Sequence, residues 1–191
     1  ATAAGNAVRF DENNVRCMGR TARGVKGLSL REGDGGRDRV VGAVVVDDAK
    51  HLVTITERGY GKRSPFDDFR TMANRGGFGV RTHNITEKTG LLSGIAAVDG
   101  DQDLMMITDQ GTIIRTPASD ISILSRSAAG VIVMRLPEGQ YVANFTVVAK
   151  EEAKEEEEAD IAEGEVDASD ADAVEANDIE VIELPDETNE D

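Results

Sequence analysis

One spacing is written three times along this chain. Thr2, Gly5 and Arg9 stand as Thr-x-x-Gly-x-x-x-Arg, and the spacing recurs at Thr56, Gly59 and Arg63 and again at Thr108, Gly111 and Arg115. The copies are offset by 54 and 52 residues. Six residues beyond each Arg comes a second matching block: Val15-Arg16-Cys17-Met18, Phe69-Arg70-Thr71-Met72 and Ile121-Ser122-Ile123-Leu124. Self-similarity at this period restricts the fold to supersecondary units that bury their apolar faces against one another, stacked or arranged radially. It also presents an Arg at each repeat.

The units read as β. Helical periodicity is hard to find before residue 150, whereas short β-rich runs bounded by Gly, Asp and Asn are frequent. Val40–Val46 and His51–Thr56 flank Asp47-Asp48-Ala49-Lys50 and predict a hairpin. Leu91–Val98 and Leu104–Thr108 flank residues 99–103 and predict a second. Gly59 and Gly111 then read as turn glycines at positive φ. The strand carrying the repeat Arg ends at Ser64-Pro65 or Thr116-Pro117, since Pro cannot donate to a ladder. About four strands in ~50 residues is the size of a propeller blade. The expected architecture is all-β: about three four-stranded blades over 1–149, at about 1–50, 51–103 and 104–149. The first is incomplete, lacking the apolar strand that should precede Thr2, and the opening mid-pattern without Met suggests a fragment.

Charge divides the chain. The formal net charge is −16, yet residues 1–149 carry 19 Lys+Arg against 17 Asp+Glu, and residues 150–191 carry 2 against 20. A near-neutral body is thus followed by an acidic tail whose composition predicts disorder. Ile179-Glu180-Val181-Ile182-Glu183-Leu184 is the one apolar island in it. Fifteen of the body's basic residues are Arg, which favours bidentate contact with phosphate or carboxylate. The single Cys17 excludes an intrachain disulfide and fits a reducing compartment. No apolar run approaches the ~20 residues of a membrane helix, so a cytoplasmic protein is expected.

Catalytic chemistry finds no support. His51 and His83 lie in different units with no nucleophile at a motif spacing. Cys17 is expected to pack in a strand. Asp99, Asp101 and Asp103 begin like a calcium loop, but Leu104 replaces the obligatory Gly and Gln110 the bidentate Glu, so a hairpin turn is expected. No metal or cofactor site is predicted. What remains is basic: Arg9, Arg16, Arg20, Arg23 and Lys26 in the first unit; Lys62, Arg63, Arg70, Arg75 and Arg81 in the second; Arg115 and Arg126 in the third, with Arg135 beyond them. Single residues of this kind often only solvate a strand face; their recurrence at a structural period points instead to a charged rim. Arg23-Gly24-Val25-Lys26-Gly27 and Arg75-Gly76-Gly77-Phe78-Gly79 share Arg-Gly-x-x-Gly at equivalent places. Gly24, Gly27, Gly76, Gly77 and Gly79 would let backbone N–H groups approach a phosphate.

The strings 8–30, 54–69 and 105–136 resemble the C-terminal DNA-wrapping domain of bacterial DNA gyrase A subunits, and the tail resembles the acidic extension many of them carry. The resemblance implies a β-pinwheel of propeller-like blades with duplex DNA bent around a basic rim. It implies service in an ATP-hydrolysing topoisomerase that introduces negative supercoils. There the partners are DNA, a gyrase A dimer and gyrase B in an A2B2 assembly, with ATP and Mg held elsewhere in the holoenzyme. The family's Gln-Arg-Arg-Gly-Gly-Lys-Gly box has no full copy here, and the cleavage domain is absent, so the chain is expected to be the C-terminal half of the pinwheel. The tail is expected to modulate wrapping by competing for the rim. The alternatives are the related topoisomerase IV domain and a protein-binding propeller. The positive charge falls along the chain: residues 1–39 hold eight basic and five acidic groups, 40–90 eight and six, 91–149 three and six. The first two units are therefore expected to hold the DNA.

Overall fold

The computed structural model describes residues 1–31 and 38–150; the acidic tail and its apolar island lie outside them. The described chain forms eleven strands: β1 (Asn6–Ala7), β2 (Arg9–Phe10), β3 (His51–Thr56), β4 (Tyr60–Pro65), β5 (Thr71–Met72), β6 (Val80–Arg81), β7 (Leu92–Val98), β8 (Gln102–Thr108), β9 (Ile113–Pro117), β10 (Val131–Ile132) and β11 (Val142–Ala149). Single turns of 3-10 helix follow each Arg-bearing strand, at Glu12–Asn14, Phe66–Asp68 and Ala118–Asp120. The all-β expectation holds, and Pro65 and Pro117 end β4 and β9 as expected.

The turn between the first two strands of each unit is the same three times. Gly5, Gly59 and Gly111 have φ of 78°, 76° and 83°. In each, the Gly N–H donates to the carbonyl of the Thr three residues before, at 2.9, 3.0 and 3.1 Å. Thr56 and Thr108 also accept, through Oγ1, from the backbone N–H of Tyr60 and Thr112. An L side chain at such φ is strained, which is why Gly recurs.

The pairing differs from the expected hairpins. β7 does not fold back on β8; it pairs antiparallel with β3, from His51↔Val98 to Thr56↔Leu92. β8 pairs with β9 and with β11. Likewise Val40–Val46 does not pair with β3. It lies beside the start of the chain, through the Thr2↔Val40 bridge and the Val41 N–H on the Ala1 carbonyl. Each run before an Asp-rich turn thus completes the sheet of the preceding unit. The short turn signal is satisfied by a crossing between neighbouring sheets as well as by a hairpin. At residues 99–102 that turn is held by the Asp101 N–H on Asp99 Oδ1 and the Asp99 N–H on Gln102 Oε1.

The second sheet therefore has the order β10-β4-β3-β7, with strands drawn from successive repeats. In the third sheet, β11-β8-β9, the place next to β9 holds no described strand. In the first, β6 pairs with β1, and an apolar cavity of about 640 Å³ is lined by Ala7, Val44, Val46, Leu52, Phe66 and Phe69.

The cores lie between sheets. Val53 and Ile55 of β3 pack with Leu104, Met106, Ala118, Ile121 and Val142, joining the second and third units. Leu52, on the other face of β3, packs with Phe66 and Phe69 beside Ala7, Val44 and Val80, joining the first and second. β3 is buried on both faces, with Thr54 and Thr56 enclosed beside Leu52, Val53 and Ile55. Two such faces hold neighbouring units together as adjoining blades.

Candidate nucleic-acid interface

The repeat Arg is spent on its neighbour. Arg9 Nη1 donates to the carbonyls of Phe66 and Phe69 at 2.8 and 3.3 Å. Arg63 Nε donates to the Ile121 carbonyl at 2.7 Å and Nη2 to the Ser119 carbonyl at 3.0 Å. Both guanidinium groups thus hold the 3-10 turn of the next unit, through the carbonyls of the buried Phe66, Phe69 and Ile121 and of the exposed Ser119. The backbone follows the same contact: Arg9 pairs in parallel with Thr71, and Arg63 bridges in parallel to Ile123. Arg115 turns to its own sheet, where Nε meets the buried Asp103 carboxylate at 2.7 Å and Nη2 the Ala149 carbonyl at 2.8 Å.

Arg75 and Arg126 are fasteners of a second kind. Arg75 donates to the carbonyls of Asn14 and Lys26 at 3.1 and 2.8 Å, and Arg126 to the carbonyl of Arg81 at 2.9 Å. The glycine blocks join in. The Gly76 N–H donates to the Gly27 carbonyl at 2.7 Å, and Ser29 donates to the Gly77 and Gly76 carbonyls. Gly24, Gly76 and Gly79 all have positive φ, and a Cβ on Gly79 would run into the Ala7 carbonyl. The two blocks are brought together, yet the Gly76 N–H is spent within the protein. Gly24, Gly27 and Gly77 remain exposed.

Lys62 is fully buried, with Nζ on the carbonyls of Ser125 and Arg126 at 2.6 and 2.7 Å. Burial lowers its pKa to about 8, with nearby Asp68 opposing and Arg126 adding to the shift. It faces inward, away from any phosphate. Beside it lies His83, buried, with Nδ1 against Thr54 Oγ1 and Nε2 against the Ala129 carbonyl, both at 2.9 Å. Burial, and then the Lys62 charge, lower its pKa to about 4. This polar cluster was not anticipated from the sequence. One signal pointed to it: the residues at the place of Lys62 in the other units are Val8 and Ile114, so that register faces a core.

Six of the predicted rim cations remain outward, and Arg58 and Arg135 are exposed as well. Arg16, Arg20, Arg23, Lys26, Arg70 and Arg81 are exposed, and their side chains make no hydrogen bond or ion pair with another described residue. The first four sit on the loop after β2, which the Arg75 and glycine contacts hold against the 73–77 loop; Asn14 Nδ2 also reaches the Ala73 carbonyl. Arg70 precedes β5, which pairs with β2. Arg81 lies in β6, so the arrangement is a set of exposed charges, without partners among the described residues, on loops and one short strand with a fixed backbone beneath. The packed strand expected at Cys17 is not found: Cys17 lies among them, exposed and outside any strand, and Thr71 and Ile123 at its register are exposed too. No cluster of metal-ligating side chains occurs among the described residues, and none of their helices is long and apolar enough to cross a membrane.

The model of the DNA gyrase C-terminal domain, a β-propeller, matches residues 1–47, 50–99 and 102–149. The DNA gyrase A protein of Staphylococcus epidermidis is 45% identical over 153 residues, covering 79% of this chain and 17% of that protein. That of Staphylococcus aureus strain MRSA252 is 45% identical over 159 residues, covering 82% and 17%. The chain therefore spans about a sixth of these relatives' length. Among solved structures, a DNA gyrase A C-terminal domain superposes with TM-score 0.69 at 26% identity, over 76% of this chain and 48% of that one. The C-terminal domain of a DNA topoisomerase IV gives 0.69 at 27% identity, over 78% and 45%.

Proposed function

From the premise that this chain belongs to the DNA gyrase C-terminal β-propeller family, we propose that it binds duplex DNA and bends it around the loops of its first two units. The observation that carries this reading is the set of six exposed cations, unpaired among the described residues: Arg16, Arg20, Arg23 and Lys26 on the loop after β2, Arg70 before β5 and Arg81 in β6. Arg9, Arg63, Arg75, Lys62 and Arg126 act beneath them, holding successive units at the angle that sets the curvature. Arg115 belongs to the third sheet's own packing. The charge gradient supports the same assignment.

Wrapping sets electrostatic attraction against DNA stiffness. Bending 20–30 bp by 40–90° costs roughly 1–6 kcal/mol. Counterion release at each neutralised phosphate supplies the opposing free energy, with a log–log salt slope of about −0.9 per contact. Flexible Arg side chains on loops suit sequence-tolerant backbone contact more than base readout. Exposed Gly24, Gly27 and Gly77 leave room for close approach of a phosphate.

In this reading the chain works within a gyrase A protein, as part of an ATP-dependent supercoiling enzyme with A2B2 composition in the bacterial cytoplasm. Cleavage chemistry, ATP and Mg belong to other parts of it. The acidic tail, with its net −18, competes with DNA for the same cations. Topoisomerase IV is the second reading, favoured by its equal structural similarity; the curated relatives at 45% identity favour gyrase A.

Filter binding on linear duplex across a salt series tests the proposal. Replacing Arg16, Arg20 and Arg23 by Ala together should reduce the slope by about 2–3. A slope near zero for the unaltered chain would instead favour a protein-binding propeller. Deleting residues 150–191 should raise DNA affinity most at low salt; unchanged affinity across the series would remove the tail from the mechanism.

A further inference from the structure

The junction of the first two units holds a polar cavity. The Gly5 carbonyl accepts the backbone N–H groups of Thr82 and His83 at 2.8 and 3.2 Å. Beside it β6 pairs with β1, with Asn6 opposite Arg81. A cavity of about 630 Å³ lies there, lined by Asn6, Arg31, Arg81 and Asn84 together with Ile85 and Leu91.

The backbone places each polar wall residue. Asn6 and Arg81 are directly opposite in an antiparallel pair, so their side chains share one face. Asn84 is held by its N–H on the Ala128 carbonyl at 3.1 Å. The Arg31 guanidinium lies over the Phe78 ring, 5.9 Å from its centroid. None of these four side chains has a hydrogen-bond or ion-pair partner among the described residues. His83 adds no donor to the cavity, since its ring nitrogens meet Thr54 Oγ1 and the Ala129 carbonyl. No Asp or Glu lines the cavity among the described residues. Asp38, bonded to the backbone N–H groups of Ala4 and Arg31 at 3.0 and 3.1 Å, is already held by the fold.

The fold itself does not need this polar set. At the second junction the Gly59 carbonyl accepts the N–H groups of Val133 and Met134 at 2.9 and 3.1 Å. There Tyr60 stands at the place of Asn6 and pairs with Ile132 at the place of Arg81. The same backbone is thus built with an aromatic and an aliphatic side chain. The polar walls of the first junction are left to serve a ligand, and their chemistry selects an anion. A guanidinium offers forked donors that match phosphate oxygens, and an amide adds two more N–H groups. The volume falls within the ~300–1,000 Å³ of ligand sites, enough for a phosphodiester and a flanking sugar. Arg31 and Arg81 are exposed, so the cavity is reached from solvent.

We propose that this cavity is a phosphodiester socket: one backbone phosphate of the bound duplex sits between Arg31 and Arg81, with the amides of Asn6 and Asn84 donating to its remaining oxygens. The proposal rests on the DNA-binding reading above and adds a fixed point to it. Cations on the loop after β2 can follow the phosphates as the duplex shifts. Donors set on a strand pair hold one phosphate against the junction and so register the duplex there. Arg31, which the repeat spacing did not single out, becomes a DNA contact.

Filter binding of the full chain on linear duplex across a salt series reads the socket, with the melting temperature of each variant as the check on folding. Arg31→Ala should reduce the salt slope by about 0.9. Asn84→Asp sets a carboxylate against the phosphate and should weaken binding about tenfold or more, whereas Asn84→Ser keeps a neutral donor and should stay within about threefold. NMR of the unaltered chain gives a second readout. The side-chain amides of Asn6 and Asn84 should shift on adding duplex, and inorganic phosphate should move the same pair. A response to inorganic phosphate without one to duplex would make this a free-anion site and overturn the assignment to DNA. Silent amides and an unchanged Arg31→Ala slope, while replacement of Arg16, Arg20 and Arg23 still lowers the slope, would overturn the socket and leave the DNA-binding reading standing. No duplex binding by the unaltered chain would overturn that reading, and the socket with it.

Discussion

Arg63→Ala separates two roles that a repeated Arg could play. Truncation removes a 2.7 Å and a 3.0 Å hydrogen bond from a guanidinium to the carbonyls of Ile121 and Ser119. A hydrogen bond to a charged group contributes about 1.5–3 kcal/mol. Ser119 is exposed, so water replaces much of the second bond, whereas Ile121 is 1% exposed and its carbonyl loses more. The expected loss is about 2–3 kcal/mol, or roughly 6–10 °C in melting temperature for a chain of this size. Arg63→Lys should recover about half of that, since an ammonium lacks the planar fork. Thermal and urea unfolding read the stability, and filter binding across a salt series reads the phosphate contacts. The variant should melt earlier while its salt slope stays unchanged. An unaltered melting temperature with a slope reduced by about 0.9 would refute the reasoning and make Arg63 a DNA contact.

Three other outcomes follow from the same geometry. His83 has its folded pKa lowered to about 4, so the unfolded chain binds the extra proton between there and about 6.5. Stability should fall by up to roughly 3 kcal/mol as pH drops through that window, and His83→Asn should flatten the dependence of the urea midpoint. Gly59→Ala combines φ of 76° with a Cβ against the Met134 carbonyl and should cost more than ~2 kcal/mol; Gly24→Ala has φ of 81° but open space and should cost about 1 kcal/mol by urea unfolding. Replacing Arg70 or Arg81 by Ala should leave the melting temperature within about 1 °C while weakening DNA binding alike across sequences.

Much of the fold could be read without coordinates. The positive φ of Gly59 and Gly111, the strand ends at Pro65 and Pro117 and the β character of the repeat follow from local chemistry: glycine tolerates the left-handed region, and proline lacks a donor. Partner choice did not follow. Residues 99–102 are an equally good turn for a hairpin or for a crossing into the next sheet, and only the packing of Leu52 and Val53 on opposite faces of β3 selects the second. The same holds at Cys17, where the pattern of its block suggested a packed strand and the structure leaves the side chain in solvent.

The division is sharpest for the basic residues. Composition and repeat spacing alone determined that this chain is a series of β units carrying Arg at a structural period, near neutral in its body and acidic beyond it. They could not say which cations face outward, because a guanidinium serves a backbone carbonyl and a phosphate with the same donors. Only the tertiary structure decided that Arg9 and Arg63 bind the next unit's 3-10 turn, that Lys62 is enclosed, and that Arg16, Arg20, Arg23, Lys26, Arg70 and Arg81 are exposed. The physical reason is that hydrogen-bond partners nearly sixty residues away in sequence become neighbours only when the sheets pack face to face.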